Sequence, residues 1–181
     1  MADDRFTPII LAAGRGSRMG GPKALLAVEG QTALERCVAT CRAAAARLAS
    51  ATEQASAPDA APSITPPIVV CGHGAAQVRE RFEREPDLLL VLNADPDRGQ
   101  TSSVQTGLTA LPPAASGFFI FPVDHPLVAD DDLVALARAA AGAAETLIVR
   151  PSHGGRAGHP VLIRRALCGE ILALGTDEPL R

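Results

Sequence analysis

The chain has 181 residues, a hydrophobic fraction of 47%, a formal net charge of −3 and only 3% aromatic residues, with no Trp and no Tyr. That length and apolar content fit one α/β domain with a full core. The scarcity of rings argues against base-stacking platforms, the absence of a basic block argues against a duplex-binding face, and no apolar run approaches membrane-spanning length.

The first element expected is a buried strand from about Thr7 to Ala12. It opens into Ala13-Gly14-Arg15-Gly16-Ser17-Arg18-Met19-Gly20-Gly21-Pro22-Lys23. A strand that breaks into a glycine-rich, cationic loop is a common way to hold a polyphosphate. Glycine lets the backbone approach the anion and aim N–H groups at it. Arg15, Arg18 and Lys23 supply charge. Lys23 is the only lysine; every other member of the Lys+Arg total of 17 is arginine. A lysine kept inside this loop in so Arg-rich a chain is read as a phosphate ligand. The loop is not the dinucleotide fingerprint, because G-x-G-x-x-x-G has one residue too many before its third glycine. It is not a P-loop either, because no G-K-[ST] occurs.

Ala24–Val28 is short and apolar, and Glu29-Gly30-Gln31 reads as a turn. A helix is expected from Thr32, an N-cap with Glu35 three residues on, to about Leu48. Residues 50–67 carry four prolines, small residues and no periodicity, and are expected to be a flexible surface insertion within the single 1–181 domain. The next strand is Ile68–Cys71. Gly72-His73-Gly74 follows, with His73 read as a turn residue, and then a helix to about Glu85. Leu88–Leu92 reads as a buried strand ending at Asn93. A helix starts at Gly99–Ser103 and runs to Leu111, where Ser102 and Ser103 read either as N-caps or as ligand contacts.

Gly117–Val123 is a strong strand with Asp124-His125-Pro126 at its end. A lone carboxylate there is a typical place for one Mg²⁺ ligand, the alternative being a cap on the turn before proline. His125 reads as a supporting group or a turn filler. Three acids at 130–132 suit the start of a helix that reaches about Ala141. Thr146–Arg150 is a strand, Gly154–Pro160 a loop, Val161–Ile163 a short strand and Arg164–Leu174 a last helix. Arg156 is read as an exposed cation that could meet an anionic acceptor, and His159 as a substrate-phosphate contact or a structural donor. Cys37, Cys41, Cys71 and Cys168 are scattered and match neither a disulfide framework nor a zinc site, which suits a reducing cytoplasm. The acidic N-terminus is not a signal peptide.

Strands alternating with helices imply an α/β fold with a mainly parallel sheet and helices on both faces. The polar clusters at 14–23, 72–73, 93 and 124 all follow strands, so they converge at the carboxyl edge, where open α/β sheets bind ligands.

Together these residues resemble the MobA/MocA-like nucleotidyltransferases. The likeness is carried by Leu11-Ala12-Ala13-Gly14-x-Gly16-x-Arg18-Met19-Gly20-x-Pro22-Lys23-x-Leu25-Leu26. It continues through Val69-Val70-x-Gly72-His73, Asn93, Gly99, Ser102-Ser103, Pro122-Val123-Asp124-x-Pro126 and Gly158-His159-Pro160. It implies a three-layer Rossmann-like fold and a cytoplasmic enzyme. That enzyme transfers a nucleoside monophosphate from a nucleoside triphosphate to a phosphorylated small molecule such as molybdopterin, releasing pyrophosphate. Leu11, Ala12, Ala13, Gly14, Gly16, Lys23, Asn93, Ser102 and Ser103 would then bind the nucleotide. Arg18, Lys23 and Asp124 would be catalytic, with Mg²⁺ at Asp124, and Arg156, Gly158 and His159 would meet the acceptor. The Leu-Ala-Ala-Gly form with Pro22-Lys23 looks more like the CTP-using than the GTP-using branch. The alternatives are another phosphorylated acceptor, such as a sugar phosphate, or a nucleotide-binding relative without turnover. The family also carries an Asp-x-Asp-Thr-Pro type motif near its C-terminus. The chain ends at Gly175–Arg181 without it, so the resemblance leads to the expectation of a truncated C-terminus or a metal held differently.

Overall fold

The computed structural model describes residues 4–16, 21–54, 61–85, 87–175 and 178. The first strand begins two residues earlier than expected, as β1 (Arg5–Ala12), and all but Arg5 of its eight residues are buried. After the glycine loop come a 3₁₀ turn at Lys23–Leu25 and a small ribbon, β2 (Ala27–Val28) and β3 (Gln31–Thr32). Helix α1 (Ala33–Gln54) starts with the expected reciprocal cap. The Glu35 N–H donates to Thr32 Oγ1 at 3.1 Å and the Thr32 N–H donates to Glu35 Oε2 at 2.7 Å.

The helix continues past Leu48, which is buried, and its outer face also meets another helix. Arg47 reaches Asp130 at 2.9 Å and Asp131 at 2.6 Å. The 50–67 stretch therefore departs from the loop that its composition suggests. Its first residues are helix, and β4 (Ser63–Ile64) pairs parallel with β1 at Arg5 and Phe6. Residues 55–60 lie outside the described residues. After Pro66-Pro67 the chain resumes beside β1 as β5 (Ile68–Cys71), so β4 and β5 lie on the same side of β1 and a proline pair, which cannot donate to a ladder, separates them.

Helix α2 (Ala75–Arg81) is followed by β6 (Leu89–Leu92), α3 (Gln100–Thr109), β7 (Gly117–Pro122) and α4 (Asp130–Ala141). Then come β8 (Ile148–Val149), the hairpin β9 (Ser152–His153) with β10 (Arg156–Ala157), β11 (Val161–Arg164) and α5 (Cys168–Ala173). The main sheet runs β6-β5-β1-β7-β11-β8. β6, β5, β1 and β7 are parallel, and β11 runs against both β7 and β8. The expectation of a buried β6 is corrected. It is the sheet edge, with one neighbour only, and Leu89 and Leu92 are half-exposed.

Alternation along the central strands divides the core in two. Phe6, Ile10, Val69, Phe119 and Phe121 pack under α1, α2 and α4. Ile9, Leu11, Val70, Phe118 and Ile120 pack under α3 and α5. This is the expected three-layer α/β arrangement, a mostly parallel sheet with helices on both faces.

Helix α3 lies close to the sheet because Gly107 has no side chain. A Cβ there would sit 2.5 Å from Ile9 Cγ2 and 3.1 Å from Val70 Cγ2. Gly107→Ala gains about 1 kcal/mol of helix propensity but overpacks a dry layer at about 1–3 kcal/mol. Urea unfolding should show a net loss on the order of 1 kcal/mol.

Candidate active site

Four loops meet at the carboxyl edge of β6, β5, β1 and β7, as the strand polarity requires. The His73 N–H donates to Ala13 O at 3.2 Å, the Asn93 N–H to Cys71 O at 2.8 Å and the Val123 N–H to Leu11 O at 3.1 Å, so each loop is held to its neighbour by backbone bonds. Between them opens a cavity of about 350 Å³, lined by Leu11, Ala13, Gly14, Lys23, Pro96, Gly99, Gln100, Ser103, Pro122, Val123, Asp124, His125 and His159.

On the β1 side the chain turns through Gly16 at φ 61°, where a Cβ would stand 2.0 Å from Gly21 O. Only glycine permits this doubling-back, and it delivers Lys23 to the cavity. Across the cavity, Asp124 follows β7. Lys23 Nζ donates to Asp124 Oδ2 at 3.1 Å, bringing together two residues 101 positions apart. Both side chains remain roughly half-exposed to the cavity. Partial burial works against the charged Asp124 carboxylate. The hydrogen bond and charge of Lys23, aided by His125, outweigh it and hold the carboxyl below its usual range.

His125 Nε2 is 3.7 Å from Asp124 Oδ1, and the His125 and His159 rings lie 5.0 Å apart at 33°. Burial, with the neighbouring His125, pushes the His159 imidazole below its ordinary value against the pull of Asp124. This wall therefore holds a neutral-leaning ring next to a paired carboxylate.

Asn93, Ser102 and Ser103 form a buried network behind the cavity. Asn93 Nδ2 donates to Ser102 Oγ at 2.9 Å and to Ser103 Oγ at 3.0 Å, while Asn93 Oδ1 accepts from the Asp95 N–H at 3.0 Å. Ser102 Oγ donates to Gly99 O at 2.7 Å. Neither serine is the N-cap; that position is Gly99, at φ 102°, and both serines lie in the first turn of α3. Of the three, only Ser103 lines the cavity.

The other sequence candidates divide similarly. Leu11, Ala13 and Gly14 line the cavity; Ala12 points into the opposite core layer, and Gly16 shapes the loop from outside the lining. His159 lines it. Gly158 instead donates to Pro151 O at 2.9 Å at the base of the β9–β10 hairpin, and Arg156 is exposed on that hairpin. Arg18 lies outside the described residues.

Sequence reasoning passed over Asp97 and gave His73 only a turn. Arg15 Nε donates to Asp97 Oδ1 at 3.0 Å and Arg15 Nη2 pairs with Asp97 Oδ2. His73 Nε2 stands 3.0 Å from the same Oδ1. The available signal was an acid between a strand end and a helix start, at the edge where a loop arginine had already been singled out.

Among the described residues Asp124 is the only carboxylate lining the cavity, and no group of three His, Cys, Asp or Glu among them could cage a metal. The donor set therefore suits a hard cation that completes its shell from substrate phosphates and water, and does not suit an all-protein metal centre.

A mostly parallel sheet with helices on both faces and a glycine loop after its first strand make the fold Rossmann-like. The chain belongs to the MobA-like NTP transferase family, whose domain model matches residues 8–181. It is thus an enzyme that acts on a nucleoside triphosphate and an acceptor. The chain is similar to the crystal structure of Rv0371c from Mycobacterium tuberculosis H37Rv, at 24% identity and a TM-score of 0.70, over 94% of this chain and 77% of that one. A nucleotidyl transferase from Methanothermobacter matches at 24% identity and a TM-score of 0.69, over 94% and 76%. The molybdopterin-guanine dinucleotide biosynthesis protein A of Archaeoglobus fulgidus matches at 15% identity and a TM-score of 0.58, over 92% and 71%. At these identities the likeness is one of fold. A search among curated proteins gave no significant match. Among the described residues no helix is long and apolar enough to cross a membrane.

Two outcomes follow from the charges and bonds above. Arg15, and after it His73, hold the Asp97 carboxyl down to about 2. This lies below the unfolded value of about 3.9, so the contribution of Asp97 to stability, small because the pair is open to solvent, is present above about pH 4 and is lost as pH falls through about 2. Asp97→Asn should flatten that acid limb in a stability-against-pH series. Asn93→Ala removes three hydrogen bonds from a buried network and should lower stability by about 1–3 kcal/mol, read by urea unfolding.

Proposed function

We propose that this nucleotidyltransferase transfers a cytidine monophosphate from CTP to a phosphorylated acceptor of the molybdopterin type, with Mg²⁺ and release of pyrophosphate. The observation that carries the reading is the Lys23–Asp124 pair across the cavity, one cation and one carboxylate at 3.1 Å on opposite loops.

In this reading the backbone at Gly14 and Gly16 leaves room for the phosphates, and the Lys23 ammonium exchanges its Asp124 partner for a phosphate oxygen. Arg18 adds a second positive charge from the same loop. Ser103 and the first turn of α3 border the nucleoside side, with Asn93 and Ser102 holding that turn in place. Asp124 would hold the divalent cation, which would supply charge neutralisation on the triphosphate. A manganese complex of Rv0371c supports a divalent metal in this fold.

His159 and His125 form the far wall, where the acceptor phosphate would face the α-phosphorus, with Arg156 and Gly158 on the approach. An acceptor phosphate is already anionic at neutral pH, so positioning and charge neutralisation are sufficient and no strong base is needed. The preference for CTP rests on the Leu11-Ala12-Ala13-Gly14 and Pro22-Lys23 form of the loop. A cytoplasmic setting and a single-domain organisation belong to the same reading.

Pyrophosphate release should be measured with CTP and GTP against molybdopterin and a panel of sugar phosphates. Release with CTP and molybdopterin is expected; release only with GTP, or only with a sugar phosphate, would redirect the base or the acceptor. Lys23→Ala should lower kcat/KM by roughly 100-fold or more with an unchanged melting temperature. Wild-type turnover in that variant removes the phosphate role.

A further inference from the structure

We infer that Asp97 is a positioning residue of the nucleotide cleft: its carboxylate clamps Arg15 and His73, joining the loops after β1, β5 and β6 into one rim against which the nucleoside triphosphate binds. The inference rests on the reading of the cavity as the triphosphate site. It concerns residues that reading does not use.

The three partners come from three adjacent parallel strands, so their loops emerge side by side at the same edge. Arg15 presents two guanidinium nitrogens to the two oxygens of Asp97, a planar pairing that fixes direction as well as distance. His73 Nε2 lies 3.0 Å from Asp97 Oδ1 and 3.1 Å from Arg15 Nε, closing a triangle. The rim beneath is already tight. A Cβ on Gly72 would stand 2.8 Å from both the Ala13 and Pro96 side chains, so the loops after β5, β1 and β6 touch backbone to side chain. Gly14, next to Arg15, and Pro96, next to Asp97, both line the cavity, so any shift in the clamp passes directly to its wall.

The side chains of Arg15 and Asp97 are 61% and 55% exposed. Ion pairs that open to solvent add little to global stability, so the clamp acts on the geometry of the rim and not on whether the chain folds. It also adds to the role of Arg15. With Nε and Nη2 turned to Asp97, the side chain serves as a strut between the two loops.

The test is calorimetric binding of CTP and GTP to the wild-type chain, Asp97→Asn, Arg15→Asp and the exchanged double variant Arg15→Asp with Asp97→Arg, alongside kcat and melting temperature. Each single variant should weaken nucleotide binding by about fivefold or more, with kcat for the saturated enzyme within about twofold and a small change in melting temperature. The exchanged pair should recover most of the affinity, since a strut works in either polarity. Tighter binding in Asp97→Asn would overturn the inference by showing that Asp97 competes with the triphosphate for Arg15. Unchanged binding in both single variants would overturn it as well. An exchanged pair as weak as Arg15→Asp alone would show that Arg15 touches the nucleotide directly. A wild-type chain that binds neither nucleotide would remove the triphosphate reading and this inference with it.

Discussion

β1 is hydrogen-bonded on both sides and buried on both faces, and every part of the cavity is placed relative to it. β4 and β5 pair with one side and β7 with the other, all parallel, and β1, β5 and β7 end level with one another near Ala12 and turn out of the sheet together. A strand so enclosed can carry almost no polar side chain; Thr7 is buried and has its hydroxyl partnered by Thr65 at 2.8 Å. Polar chemistry is therefore displaced to the carboxyl end, where the ladder stops and the loops begin.

Two ion pairs stand at that edge. Lys23 and Asp124 face one another across the cavity, and Arg15 and Asp97 face one another on its rim. Each carboxylate lies next to a cation that keeps it ionised, so neither is left as an uncompensated charge. The two pairs differ in what can disturb them. Lys23–Asp124 lines the cavity and is open to replacement by a phosphate and a cation, because a point-charge ammonium accepts any nearby anion. Arg15–Asp97 is bidentate and braced by His73, an arrangement suited to holding position.

Behind these groups the polar residues are consumed internally. Asn93 spends both its amide N–H₂ group and its carbonyl oxygen on the first turn of α3 and on the Asp95 backbone. A buried amide left half-satisfied would be costly, and the network instead fixes where α3 begins. That start, with Gly99 and Gln100 on the lining, in turn sets one side of the cavity.

Local pattern was sufficient for much of this. The continuous apolar runs defined the strands, Thr32 with Glu35 defined the start of α1, and strand–helix alternation defined the three layers. The singular lysine and the carboxylate after β7 marked the two halves of the candidate site. Tertiary structure alone decided what depends on distance. It shows that Lys23 and Asp124 meet, that β6 is an edge strand, and that a stretch which composition reads as loop contributes β4. It also places Asp97 on the rim with Arg15 and His73, and Asn93 and Ser102 behind the cavity rather than on it. Propensity and spacing act within a few residues along the chain. A partner 101 positions away, or a strand stabilised only by the ladder it joins, is selected by the packing of the whole sheet.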